Sequence, residues 1–168
     1  VVTTLSRAYK SFNIPSLRFN FRGVMNSEGE YGYSKGETED LIAVSEWVRA
    51  NYPDYAIVLS GFSFGCSVAY KGQSRIQGIK QLITIAPAIV NFPVYHEPEP
   101  ECPWLIIQGV DDEIVSPQAV FQFLTQDVES SFVLAKMHQT GHFFHGKLID
   151  LKQELTNYLY PRINTMLK

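Results

Sequence analysis

Three groups of residues in this chain have the types and order needed to break an acyl bond. Ser63 stands in Gly61-Phe62-Ser63-Phe64-Gly65, between two phenylalanines and two glycines. Adjacent carboxylates follow at Asp111 and Asp112, and closely spaced histidines at His138, His142 and His145. A serine hydroxyl is a weak nucleophile until a base takes its proton. The base serves best when a carboxylate fixes its tautomer and stabilises its charged form. The order Ser63, then Asp111 or Asp112, then His142 supplies all three parts. Gly-x-Ser-x-Gly at a strand-to-helix junction is the pattern of a nucleophile elbow. Glycines at 61 and 65 leave out Cβ atoms that would collide as the backbone reverses. The small residues Gly65, Cys66, Ser67 and Ala69 let the following helix approach a sheet closely. The N-terminus of that helix would aim free N–H groups at an oxyanion beside Ser63, with the backbone N–H of Phe64 as donor.

Each residue also has a plainer reading. Ser63 could be a turn residue, and either aspartate a turn former. His142 follows Gly141 in a loop, from which a side chain reaches a neighbouring strand end. His138 belongs to a strand region, and His145 opens the last helix. The three histidines also raise a metal site. Gly141 interrupts any helical pairing of His138 with His142, and no cysteine or nearby carboxylate completes a set, which argues against zinc. "GHFFHGK" (141–147) has the glycine and lysine spacing of a phosphate loop, but Leu148 stands where a hydroxyl must hold Mg²⁺. That match is chance. Phe62 reads as packing, and Phe64 as packing or pocket lining. Arg22 reads as a salt bridge or, less simply, as a site for an acidic substrate.

The elements that must position these groups follow from periodicity. Strand patterns occur at 16–21, 55–61, 79–89, 103–109 and 130–137. Helical patterns occur at 37–50, 64–72, 117–125 and 147–160. Leu41, Val44 and Val48 share one face of the first of these, and Ser34 to Glu37 has capping-box spacing. Ser116-Pro117 reads as an N-cap followed by proline at the first helical position. Leu148, Leu151, Leu155 and Leu159 share a face of the last helix. "VVTTLSRAYKSF" at the start reads as mid-helix. Alternating strands and helices predict an α/β fold, a mostly parallel sheet with helices on both faces. In such sheets chemistry sits on loops at the C-terminal strand ends. Strands 55–61, 103–109 and 130–137 end at "GFSFG", "GVDDEIVS" and "HQTGHFFHG", so serine, aspartates and histidines are expected to leave three successive strands at one edge.

Composition narrows the classes further. A chain of 168 residues with 45% hydrophobic content is long enough for a buried core and is read as one domain, 1–168. A net charge of −3 without any basic run argues against a nucleic-acid partner. No apolar run approaches the ~18 to 20 residues of a membrane helix, so no membrane partner is expected. Cys66 and Cys102 make neither a metal spacing nor a disulfide framework, and the setting is read as cytoplasmic.

With these motifs in order on the right strand ends, the sequence resembles the α/β-hydrolase superfamily, and within it the small, lidless bacterial serine hydrolases of esterase type. The resemblance rests on Gly61 to Gly65, on "IIQGVDDEIVSP" (106–117), on "TGHFFHG" (140–146) and on "RFNFRGVMNSEG" (18–29), where Met25 stands at a position often glycine. It implies Ser63 as nucleophile, Asp112 as the triad acid and His142 as base. It implies no cofactor, no metal and a small-molecule acyl substrate. The activity expected is cleavage of a carboxylic ester or related acyl bond. Thioesterase or peptidase chemistry on the same triad, or a non-catalytic binding or scaffold role, are the alternatives. Residues 87–102, where lids are usually inserted, are short and proline-rich, which predicts an open site. The family also carries a strand whose loop gives a second oxyanion N–H. The resemblance places that strand between 16–21 and 55–61, where this chain has none. The chain is therefore expected to be the C-terminal portion of a longer protein.

Overall fold

The computed structural model describes residues 1–89 and 91–163. Nine regular elements follow in the order α1 (Val2–Lys10), α2 (Lys35–Asn51), β1 (Ile57–Phe62), α3 (Phe64–Gln73), β2 (Ile79–Ile85), β3 (Trp104–Gly109), α4 (Pro117–Gln126), β4 (Phe132–Met137) and α5 (Leu148–Leu159), with a 3₁₀ turn at Tyr160–Arg162. The four strands form one parallel sheet in the order β1-β2-β3-β4. The expected α/β architecture with helices on both faces is present.

Alternation along the strands builds two cores. Ile83, Ile85, Leu105 and Ile107 face α1 and α5, where they meet Leu5, Ala8, Leu151 and Leu155. Leu82, Trp104 and Ile106 face the opposite way, onto Ala69 and Tyr70 of α3 and onto Val120, Phe123 and Leu124 of α4. β3 is buried along its whole length, the signature of a strand covered on both faces. Ser116 caps α4 as expected, its hydroxyl accepting from the Ala119 N–H at 3.3 Å, with Pro117 in the first turn. On α5, Leu151, Leu155 and Leu159 are fully buried, but Leu148 is 41% exposed. It opens the helix at the rim of the core rather than inside it.

Three local expectations fail. Residues 16–21 form no strand. A strand is defined by its ladder, and this segment has no ladder partner: β1 is an edge strand, and a cavity of about 530 Å³ separates its outer side from residues 14–19. α1 and α2 wall the same cavity through Leu5, Tyr9, Leu41, Val44 and Val48. The apolar face of α2 is accordingly only half-buried. This gap lies where the resemblance places the absent strand. β1 shares in it: Ser60 faces out and only Leu59 and Gly61 are buried, so the expected burial on both faces is incomplete.

The capping box at Ser34 does not form. Ser34 adopts a left-handed φ of 71°, and its hydroxyl accepts from Lys71 Nζ at 2.8 Å. Glu37 turns instead to the Gly32 N–H at 2.8 Å. Arg22 ends the same loop. It grips Asp40 with its Nε and Nη2 at 3.0 and 2.7 Å, while its backbone N–H donates to Asp40 Oδ2 at 2.9 Å. Arg22 is thus committed to a structural ion pair, which holds the Asp40 carboxyl below its ordinary range. Met25 occupies a left-handed conformation, φ 54°, with its side chain 85% exposed. That explains why glycine suits this position, and an exposed methionine bears the strain without a packing conflict.

Candidate active site

The elbow forms as the spacing requires. β1 ends at Phe62, Ser63 takes the strained pair φ 53°, ψ −117°, and α3 begins at Phe64. A non-glycine residue held there is uncommon, and such strain persists only where its surroundings enforce it. Here the Ser63 N–H donates to Ile85 O at 2.9 Å and fastens the turn to β2. Gly61 is required by contact: a Cβ on it would lie 2.4 Å from the Gly65 carbonyl oxygen and 2.6 Å from the Cys66 nitrogen. Gly65 is different. A Cβ there would meet nothing within 4 Å, so crowding accounts for the first glycine and not the second. Cys66, Ser67 and Ala69 are buried against the sheet, with Cys66 Sγ at 3.2 Å from Ile85 O. Burial pushes the Cys66 thiol far up, so it stays neutral beside Ser63. Phe64 opens α3, and its N–H is one of the first-turn donors without an intrahelical acceptor.

Ser63, His142 and Asp112 come together. His142 Nε2 lies 2.9 Å from Ser63 Oγ, and Nδ1 lies 2.9 and 3.1 Å from the two oxygens of Asp112. The imidazole is 2% exposed and Asp112 is 7% exposed. Asp112 is fixed on every side. Oδ1 accepts from the Ile114 and Val115 N–H groups at 2.9 and 2.7 Å, and Oδ2 accepts from Gln108 Nε2 at 3.1 Å. A buried carboxylate with this many donors is held in one orientation. Asp111 is exposed and uses its N–H on Thr140 O at 3.1 Å. His138 and His145 are exposed and make no contact with Ser63. The three strands that carry the site are not all adjacent: β2 stands between β1 and the β3–β4 pair, so the His142 loop after β4 reaches Ser63 past β3 and β2. That reach is supported by close docking of the loops after β3 and β4. A Cβ on Gly109 would lie 2.4 Å from Thr140 O.

Aromatic rings line both sides of the serine. Phe62 lies 5.1 Å from the His142 ring, and Phe143 stands edge-on to it at 5.1 Å. Phe62 therefore packs, as its sequence position implied, but against the imidazole itself. The Phe64 ring meets Phe92 at 4.8 Å and Phe21 and Tyr31 at 5.7 Å each. Among the described residues of 86–103 no helix covers Ser63. The cavity beside β1 does not reach the site. It borders Ser60 on the far side of β1. Gln108 was not singled out from the sequence. Its signal is a lone polar residue at the end of the apolar run "WLIIQG", just before the carboxylate loop.

No protein-family model matches the chain. It is 30% identical over 152 residues to an uncharacterized protein of Rickettsia prowazekii (strain Madrid E), a match that takes in 85% of this chain and 63% of that protein. The chain thus spans less than two thirds of that relative's length. Among solved structures it matches an α/β serine hydrolase homologue from Coxiella burnetii, with a TM-score of 0.89, 39% identity and coverage of 94% of this chain and 75% of the other. It matches a lidless α/β serine hydrolase from Xanthomonas campestris with a TM-score of 0.90, 41% identity and coverage of 95% and 72%. The chain belongs to the α/β-hydrolase superfamily, and to its lidless serine hydrolase branch.

Proposed function

We propose that this chain is the catalytic part of a serine hydrolase that cleaves a carboxylic ester or related acyl bond. One observation carries the reading: an unbroken hydrogen-bonded line from Ser63 Oγ through His142 to Asp112, at the C-terminal edge of the sheet. Ser63 Oγ attacks the acyl carbonyl carbon while His142 Nε2 takes its proton. Asp112 holds the Nδ1–H tautomer and stabilises the imidazolium. The tetrahedral oxyanion is met by the Phe64 N–H at the start of α3. Collapse expels the alcohol, protonated by His142, and leaves an acyl-serine. Water, deprotonated by the same imidazole, then releases the acid. No step calls for a cofactor.

The second oxyanion donor is assigned to the loop that, in this family, follows the strand belonging in the gap beside β1. The substrate is a small molecule reached from solvent, and the rings of Phe64, Phe92 and Tyr31 favour an apolar group next to the scissile bond. No helix among the described residues is long and apolar enough to cross a membrane. We read the protein as cytoplasmic, with neither nucleic acid nor membrane as partner. The gap beside β1 is the observation that favours a non-catalytic binding role. Kinetics on a p-nitrophenyl acyl series separates the two. Ser63→Ala or His142→Ala lowers kcat by about 10³-fold or more if the triad acts as described. A loss below about tenfold would mean that these roles are misassigned.

A further inference from the structure

The histidine loop is held by a carboxylate that takes no part in the triad. The Glu113 side chain comes from the loop after β3, and its Oε2 accepts the backbone N–H of His142 at 3.1 Å. The same oxygen explains the glycine before the histidine. A Cβ on Gly141 would lie 2.6 Å from Glu113 Oε2, and its three nearest heavy atoms would all belong to Glu113. Gly141 has no left-handed φ, so the requirement there is one of space and not of backbone conformation. Two consecutive residues therefore hold His142, one at its ring and one at its backbone. Asp112 takes the ring through Nδ1, and Glu113 takes the backbone from which the ring hangs. Both acidic groups sit on one rigid turn, because Asp112 also accepts from Ile114 and Val115.

We infer that Glu113 is a positioning residue: it clamps the His142 backbone so that Nε2 stays in line with Ser63 Oγ, and a side chain at 141 would displace it. The assignment rests on the serine hydrolase reading. The His142 N–H is also the first cause that holds the Glu113 carboxyl below its ordinary range, so the acceptor is ionised at neutral pH. Glu113 is exposed and belongs to neither core, so its removal acts on alignment and not on folding.

The test compares Glu113→Ala, Glu113→Gln, Gly141→Ala and the Glu113→Ala/Gly141→Ala double variant by p-nitrophenyl acetate kinetics, thermal melting and amide exchange at the His142 N–H. Glu113→Ala is expected to lower kcat by roughly tenfold through misalignment, with KM and melting temperature nearly unchanged. Glu113→Gln keeps an oxygen acceptor and restores most of the rate. Gly141→Ala pushes the carboxylate away and imitates Glu113→Ala, and the double variant is no worse than the poorer single one. The His142 amide exchanges faster in Glu113→Ala than in the wild type and is protected again in Glu113→Gln. The inference is overturned if Glu113→Ala stays within about twofold of wild type. It is equally overturned if Glu113→Gln is as damaged as Glu113→Ala, if the two single losses multiply, or if exchange is unchanged. An inactive wild type would instead sink the hydrolase reading, while amide exchange would still decide the clamp.

Discussion

β1 has two unlike sides. Towards β2 it is laddered from Ile57 opposite Ile79 to Phe62 opposite Ile85, with one irregularity after Ile57, and beyond β2 lies β3, buried along its whole length. On its other side lie a cavity of about 530 Å³ and a segment, 14–19, that pairs with no strand. Ser63 sits at the end of this dividing strand. Every partner it uses, His142, Asp112, Gln108 and Ile85, comes from the closed side. The open side contributes aromatic walls through Phe21 and Tyr31, and no hydrogen bond to the triad. Ser63 and His142 are thus placed independently of the open side. The proposed shortfall is confined to the oxyanion hole.

The largest contrast should appear in core truncations. Ile107→Ala, in a fully buried position on the closed side, is expected to cost about 2–5 kcal/mol. Val48→Ala, which faces the cavity, is expected to cost less than about 1 kcal/mol, because its methyl groups already border open space. Denaturant unfolding of both variants measures the difference, and equal costs would mean that the gap is filled in solution. Next in size is the pair of elbow glycines. Gly61→Ala forces a Cβ onto backbone atoms and should cost about 3 kcal/mol and the activity. Gly65→Ala has open space and should change stability by less than about 1 kcal/mol. The smallest effect belongs to Arg22 and Asp40, a half-exposed pair on the open side. The folded-state value of Asp40 is depressed, so its contribution is complete above the ordinary value of 3.8 and is lost as pH falls below it. Asp40→Asn should lower Tm by ~1–2 °C at neutral pH, and the gap to wild type should close in acid melts. A gap that widens in acid would reverse the sign.

The sequence carried the strands and helices of the closed side because each is written in local period and in local caps such as Ser116-Pro117. It carried Ser63 and His142 because strand ends in a parallel sheet converge. The choice of Asp112 over Asp111 needed the family spacing, since both residues occupy the same turn and only the fold shows which one points inward. Residues 16–21 have strand composition, yet pairing is non-local, and among the described residues no strand lies beside them to pair with. Ser34 and Glu37 have the spacing of a cap, but Lys71, distant in sequence, takes the serine hydroxyl. Gln108 and Glu113 act through contacts that no short motif encodes.

The central claim is that Ser63 is an activated nucleophile despite the open side. A fluorophosphonate probe tests it most directly, since it reacts only where a serine is activated by its base. Labelling of wild type at Ser63, with none in Ser63→Ala and much less in His142→Ala, is the predicted result. An unlabelled wild type, or equal labelling of Ser63→Ala, would contradict it.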